Sequence, residues 1–266
     1  MLHVLEDRER LRPLYERQPL VTIRARNILF GLRLPRARLL VDDPVEPHGA
    51  LLSHDGMLWD LYSPDPAVAH TMLDQFVPPA ERALFVGIAE PLIEHVTRRF
   101  RVLVHTPTDL YLLGAGSVPS PAGAAQRSEP SPTLPLGQRL SALGPEHARL
   151  VAAAWPHDDF EEPEGKIAYI KACIEQGPTV ALLDEDRLVA FVLTHSDGSM
   201  GVLHVMPAQR RRGLGRQVLT ALMQELRHRS APVFGYVAVG NAPSAKLVES
   251  LGLRAVQRGA WLTVAR

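Results

Sequence analysis

The chain has 266 residues, of which 46% are hydrophobic and 22% charged, values ordinary for a globular protein of one large or two small domains. Its 29 Lys and Arg balance its 29 Asp and Glu, so no global charge draws it to nucleic acid or to a membrane surface. One cysteine, Cys173, excludes an intrachain disulfide framework and suits a reducing compartment, where it reads as a small buried apolar residue.

The N-terminus, "MLHVLEDRERLRPLYERQPL", is charged from the start and lacks the apolar stretch of a secretory signal. No apolar run reaches the ~18 residues of a membrane span. A cytoplasmic protein without membrane contact is expected. "GALLSHDGMLWDLYSPDP" then predicts a strand, a turn and a second strand ending near a proline. A helix follows in "PAVAHTMLDQFV", a strand in "RALFVGIAE", a helix in "EPLIEHVTRRF" and a strand in "RVLVHT". Residues 114–137, "GAGSVPSPAGAAQRSEPSPTLPLG", carry five prolines among serines and glycines and can hold neither a helix nor a central strand. They read as an interdomain linker at 116–133, between a domain at 1–115 and another at 134–266.

After the linker, "LGQRLSAL" predicts a strand and "GPEHARLVAAAW" a short helix. "PEGKIAYIKACIEQG" has Ile167, Ile170 and Ile174 at helical spacing and stops on Gly177. "PTVALLDEDRLVAFVLTHSDGSMGVLHVMP" predicts three strands joined by turns at "DEDR" and "SDGS". "LGRQVLTALMQELRHR" is an amphipathic helix with Val218, Leu222 and Leu226 four residues apart. "PVFGYVAVG" is a strand. "NAPSAKLVESLG" is a helix with Asn241 as N-cap, a proline in its first turn and Gly252 past its end. "AVQRGAWLTVA" closes the chain as one or two strands. The order β-α-α-β-β-β-α-β-α-β demands a partly parallel sheet with a crossover helix. The first half faintly repeats the element order of the second, by duplication or by chance, but nothing after Pro64 corresponds to the Arg/Gly cluster found after Pro207.

That cluster, "VMPAQRRRGLGRQVL", lies between a strand ending at Val205 and a helix beginning near Gly213. Its spacing from Arg210 is R-x-x-G-x-G. Amides at a helix N-terminus lack intrahelical acceptors and carry the positive end of the dipole, so an anion fits there. Gly213 and Gly215 let a pyrophosphate approach the main chain, and Arg210, Arg211, Arg212 and Arg216 can add charge-assisted bonds. An exposed basic turn is the plainer reading of the same residues. The spacing is neither a dinucleotide G-x-G-x-x-G nor a Walker A loop, and no second basic stripe supports nucleic-acid binding.

"LHVMPAQRRRGLGRQVL" resembles the acyl-CoA-binding signature of the GNAT superfamily of N-acyltransferases, and "GNAPSAKLVESLGL" resembles that superfamily's next motif. Residues ~150 to 255, with Trp155, "YIKACIEQGPTVALL", "SDGSM" and "PVFGYVAVGNAPSAKLVESLG", are similar to the glycine N-acyltransferase-like branch. The resemblance implies an α/β chain whose C-terminal half is a GNAT fold with splayed central parallel strands, after an N-terminal α/β domain that is a degenerate GNAT-like half. It implies transfer of an acetyl or other acyl group from acyl-CoA to a small amine or amino acid, without metal, by a monomer or homodimer. Backbone groups near Val205 would align the pantetheine and polarise the thioester carbonyl. His204, Leu214 and Ser244 fall in the same CoA-binding motifs, and Asn241 would contact the pantetheine. An acyl-CoA-binding module that no longer transfers is the alternative.

The alternative arises because the usual catalytic residues are replaced. The position where many members carry a carboxylate or histidine base is Ser199, and the position of the acid tyrosine is Val248. His204, Tyr236, His195 and Asp197 are the nearby substitutes. His204 titrates near neutrality, yet strict alternation turns it away from Ser199 unless a bulge intervenes; it can equally be a histidine packed on the sheet. His195 and Asp197 read as a solvated turn. Tyr236 can be an acid, a substrate wall or core. Trp155 and Tyr169 read as core or pocket wall.

Overall fold

The computed structural model describes residues 1–32, 37–53, 56–78, 81–114, 135, 137–155 and 162–265. The expected linker at 116–133 lies outside the described residues. In chain order the first half contains β1 (His3–Val4), α1 (Arg12–Glu16), α2 (Ile23–Arg26), β2 (Arg38–Val41), β3 (Ala50–Ser53), β4 (Leu58–Tyr62), α3 (Pro66–Gln75), β5 (Arg82–Ala89), α4 (Glu90–Arg99) and β6 (Arg101–Leu113). The second half contains β7 (Gln138–Ser141), α5 (Ala148–Ala154), α6 (Pro163–Gln176), β8 (Thr179–Asp184), β9 (Arg187–Thr194), β10 (Met200–Val205), α7 (Leu214–His228), β11 (Phe234–Ala238), α8 (Ala242–Ser250) and β12 (Leu253–Ala265). The elements expected after the linker are thus present in their expected order, and the closing segment is one strand.

The chain forms two compact units that are not its two halves. The first takes in Met1–Leu112 together with Tyr236–Lys246 and Arg254–Arg266; the second takes in Leu113–Gly235 and Leu247–Leu253. Strand pairing explains this division. In the first unit β1, β2, β3 and β4 pair antiparallel in sequence order, β4 runs parallel to β5, and β12 pairs antiparallel with β5 from Gly259–Ala89 to Ala265–Arg82. The last strand of the chain therefore completes the sheet begun by the first half. α3 and α4 pack there around Trp59, Phe76, Phe85 and Phe100, whose rings meet at 4.7 to 6.4 Å.

In the second unit β7, β8, β9 and β10 form an antiparallel meander. β10 runs parallel to β11, as the strand–helix–strand crossover requires. α7 buries Leu214, Val218, Leu219, Leu222, Met223 and Leu226 against β8, β9 and β10, the stripe read from its four-residue spacing. α5 and α6 build a second cluster in which Val151, Ile170, Cys173 and Ile174 meet Phe191 and Leu193 of β9.

The faint repeat is visible as topology. The sequence β3-β4-α3-β5-α4-β6 has the same order as β9-β10-α7-β11-α8-β12, and in each the second strand is parallel to the strand after the crossover helix. The N-terminus of α3 differs chemically from that of α7. Asp65 caps α3, its carboxylate accepting from the Ala67 amide at 2.8 Å, and Pro66 occupies the first turn. A fixed negative charge thus sits where the second copy carries glycines and arginines.

Candidate functional site

β10 is irregular where it matters. Its pairs with β9 are Met200–Thr194, Gly201–Leu193, His204–Phe191 and Val205–Ala190, so three steps on β10 match two on β9 between Gly201 and His204. The extra residue is a bulge, and Val202 takes a φ of +51°, which a β-branched side chain resists. Directly paired residues share a sheet face, as do alternate residues of one strand. Leu193 and Phe191 share a face, so Gly201 and His204 do too. The His195 amide donates to the Ser199 carbonyl at 2.8 Å, which continues the pattern through the turn. The bulge therefore returns His204 to the face of Ser199, reversing the result of strict alternation. The His204 ring stacks on Phe191 at 5.5 Å. Burial first, and the Arg210 charge second, hold its pKa below 6.5, so the imidazole is neutral near pH 7.

Among the described residues β10 is only sparsely paired on the side opposite β9. Its ladder with β11 is confined to Met200 and Gly235 among the described residues. Gly235 has to be glycine there, because a Cβ would stand 2.8 Å from the Met200 carbonyl oxygen. At the far end the Met206 amide donates to the Val189 carbonyl of β9 at 2.9 Å. Main-chain groups alternate between the two sides of a strand, so the Val205 amide turns to the edge away from β9.

The turn after β10 starts α7 without a side-chain cap. Gly213 is the residue before the helix, at φ +77°, and Arg211 is also left-handed at φ +63°. The first amide after this turn with a backbone acceptor is that of Gln217, bonded to the Gly213 carbonyl at 3.2 Å. Among the described residues the amides of Arg211 to Arg216 make no hydrogen bond. A Cβ on Gly213 would meet nothing within 4 Å, so the space in front of these amides is open; one on Gly215 would touch the Val205 side chain at 3.4 Å.

Three of the four arginines lean on neutral acceptors. Arg210 Nε donates to the Val205 carbonyl at 3.1 Å, Arg212 to the Gln209 side chain, and Arg216 to Ser250 Oγ at 2.7 Å. Arg211 is exposed, and none of the four forms an ion pair among the described residues. The patch is thus positive and not neutralised within the described residues, beside an array of unsatisfied amides.

The remaining predicted residues fall into two groups. Ser199 is buried, and its hydroxyl donates to Asp197 Oδ1 at 2.6 Å while its amide donates to the same oxygen at 2.9 Å. Asp197 is 5% exposed, so the turn is not the solvated loop that its composition predicted. His195 is drawn in with it: its Nδ1 lies 3.1 Å from Tyr169 Oη, and its ring packs on Trp155 at 5.5 Å. A Cβ on Gly201 would fall on the His195 imidazole. Isolated glycine inside a strand signals a bulge or a close approach, and here it marks both. Val248 is buried and has no proton to give. Tyr236, Asn241 and Ser244 belong to the first unit. Tyr236 packs on Trp261 at 5.7 Å with its hydroxyl over Gly87. Asn241 caps α8 as its position predicted, Oδ1 accepting from the Ser244 amide at 3.2 Å. Cys173 is buried, and burial pushes its thiol pKa up to about 12. Among the described residues no cluster of three or more His, Cys, Asp or Glu could hold a metal, and no helix is long and apolar enough to cross a membrane.

Residues 180–262 match the family model described as FR47-like protein. Among solved structures, the chain is similar to a Drosophila protein at 19% identity and TM-score 0.78, with 99% of this chain and 98% of that one covered. It is similar to the GCN5-related N-acetyltransferase from Kribbella flavida at 15% identity and TM-score 0.56, covering 92% and 95% of the two chains. A tandem GNAT protein from the clavulanic acid biosynthesis pathway matches at 15% identity and TM-score 0.55, over 100% of this chain and 98% of that one. No curated protein sequence matches the chain. The fold is that of the GCN5-related N-acetyltransferases, and its match to a tandem member spans both halves.

Proposed function

We propose that the chain is an acyl-CoA-dependent N-acyltransferase of the glycine N-acyltransferase-like branch, acting on the primary amine of a small molecule or amino acid. The observation that carries this reading is the run of amides from Arg211 to Arg216, without hydrogen bonds among the described residues and with open space in front of Gly213. Such an array at a helix N-terminus matches a pyrophosphate in charge and in hydrogen-bonding capacity. Arg211 supplies a charge-assisted bond, and Arg210, Arg212 and Arg216 exchange neutral acceptors for phosphate oxygens.

The thioester end of the co-substrate lies along the side of β10 opposite β9, toward which the Val205 amide turns. The Val205 amide donates to the thioester carbonyl, an interaction that strengthens as the oxygen becomes an oxyanion. The acceptor amine attacks the carbonyl carbon directly. His204 is neutral near pH 7 and stands next to Val205, so it can take the proton that the attacking nitrogen must lose. Ser199 already gives its proton to Asp197, so it orders the turn and is not itself the base. The first unit does not bind a second CoA in this scheme, because the Asp65 carboxylate occupies the corresponding helix N-terminus.

The test is release of free CoA thiol from acetyl-CoA and longer acyl-CoAs against a panel of amines and amino acids. Amine-dependent release is expected. CoA binding without release for any amine would mean a binding module that no longer transfers.

A further inference from the structure

We propose that Arg210 is a positioning residue of the transfer: in the free chain its side chain covers the Val205 carbonyl, and the pyrophosphate of acyl-CoA draws it off, which uncovers that carbonyl and takes a positive charge away from His204. The inference rests on the transferase reading above. It starts from the turn after β10. Pro207–Gln209 form a single 3-10 turn, in which the Gln209 amide donates to the Met206 carbonyl at 2.8 Å and the Arg210 amide to the Pro207 carbonyl at 3.3 Å. The turn carries the chain back, so that Arg210 Nε donates to the Val205 carbonyl at 3.1 Å, five residues upstream.

That carbonyl lies on the side of β10 where the thioester is placed. Val205 pairs with Ala190, and the Met206 amide donates to the Val189 carbonyl. In an antiparallel ladder the two main-chain groups of one residue point the same way, and successive residues alternate. The Val205 carbonyl therefore turns away from β9 together with its amide, and the guanidinium bonded to it stands across the approach of the co-substrate. A phosphate can displace this bond. Arg210 is exposed, its acceptor is neutral, and it forms no ion pair among the described residues. A guanidinium binds a phosphate oxygen, with charge on both partners, more tightly than it binds a neutral carbonyl. The amides assigned to the phosphate begin at the next residue, Arg211, so the side chain and the main chain of this turn meet the same ligand.

His204 feels the move. Burial is the first cause of its lowered pKa and the Arg210 charge the second. The other ionisable groups on the elements around it are Arg149 of α5, Arg187 of β9, Arg216 in the first turn of α7, and His195 and Asp197 in the turn before β10. Glu225, Arg227 and His228 lie at the far end of α7, and β11 brings Phe234 and Gly235, which carry no charge. Among these the charge that acts on His204 is that of Arg210. A nearby positive charge disfavours the imidazolium, so its departure raises the pKa. His204 is thus a weak base in the free chain and a stronger one once acyl-CoA is in place. Co-substrate and a proton at His204 then favour each other's binding, as linkage requires.

The experiment follows the His204 imidazole by NMR against pH, its resonance assigned with His204→Gln, in wild type, Arg210→Gln and Arg210→Lys, each with and without CoA. Thermal melting checks folding. In the free chain Arg210→Gln should raise the His204 titration point, and Arg210→Lys, which keeps the charge, should hold it closer to wild type. CoA should raise the titration point of wild type, and by less in Arg210→Gln. The KM for acyl-CoA should rise about 10-fold in Arg210→Gln through the lost phosphate bond. Equal titration points in free wild type and free Arg210→Gln, an equal rise with CoA in both, or an unchanged KM would overturn the proposal while leaving the transferase reading standing. A wild-type chain that does not bind CoA would overturn both. Should Arg210→Gln fail to fold, a wild-type titration point that CoA leaves unmoved would be the overturning result.

Discussion

At Val202 a β-branched residue holds a left-handed conformation that costs roughly 1–2 kcal/mol, and this one residue decides which way His204 points. His204 was recognisable in the sequence as a neutral-range titrating group next to the strand end. Its face was not, because alternation is the only rule a sequence offers and the bulge breaks it. Gly201 did carry a signal, since glycine inside "MGVLHV" marks a bulge or a close approach; what approaches it, the His195 ring, comes from the preceding turn. The burial of Asp197 was hidden for a related reason. "SDGS" has the composition of a solvated turn, and only the packing of α6 against it makes the turn part of the interior. The His204 assignment predicts a pH dependence. Its folded pKa lies below 6.5, so the base should lose activity only as pH falls below that value. In kcat/KM profiles, His204→Gln should remove that acid inflection and lower the rate by about 10²–10⁴-fold; an unchanged inflection would assign it to another group. Stability follows the same sign: the neutral form is favoured in the fold, so its contribution is present above pH 6.5 and is lost as pH falls toward the folded value.

At the scale of elements, patterning did most of the work. The apolar stripe of α7, the Asn241 cap of α8 and the hairpins at "DEDR" and "SDGS" are local, and local rules describe them. The ends of strands are different, because they depend on partners. β10 and β11 are parallel neighbours that, among the described residues, meet at Met200 and Gly235, and Gly235 is what permits that meeting. Gly235→Ala would drive a methyl group against the Met200 carbonyl and push the strands apart where they should touch. We expect about 1–3 kcal/mol of destabilisation and a Tm lower by about 2–4 °C per kcal/mol, measured by thermal denaturation. An unchanged Tm would mean that the strand ends adjust freely.

For the whole molecule, the repeat of element order was readable and the exchange of strands was not. A linker-like composition at 116–133 suggests a chain cut into two consecutive domains, yet β12, the last element, pairs with β5 of the first half. Nothing in "AVQRGAWLTVA" names its partner: an alternating strand fits any complementary edge. Neither half should therefore fold alone. Residues 1–114 should lack a cooperative thermal transition and regain one when residues 137–265 are supplied in trans; a cooperative melt of the isolated N-terminal half would refute the dependence on β12. The asymmetry between the copies has a chemical basis as well. Asp65 at one helix N-terminus and Gly213 at the other make the first repel, and the second attract, the same anion.

The most direct measurement is a calorimetric titration of CoA into wild type, Gly213→Asn and Gly213→Asp. Gly213 sits at φ +77°, which asparagine and aspartate tolerate similarly, so the two variants differ chiefly in a carboxylate placed before the amides of the turn. The account predicts saturable binding by wild type, retained binding by Gly213→Asn and none by Gly213→Asp. No binding by wild type, or equal binding by all three, would contradict it.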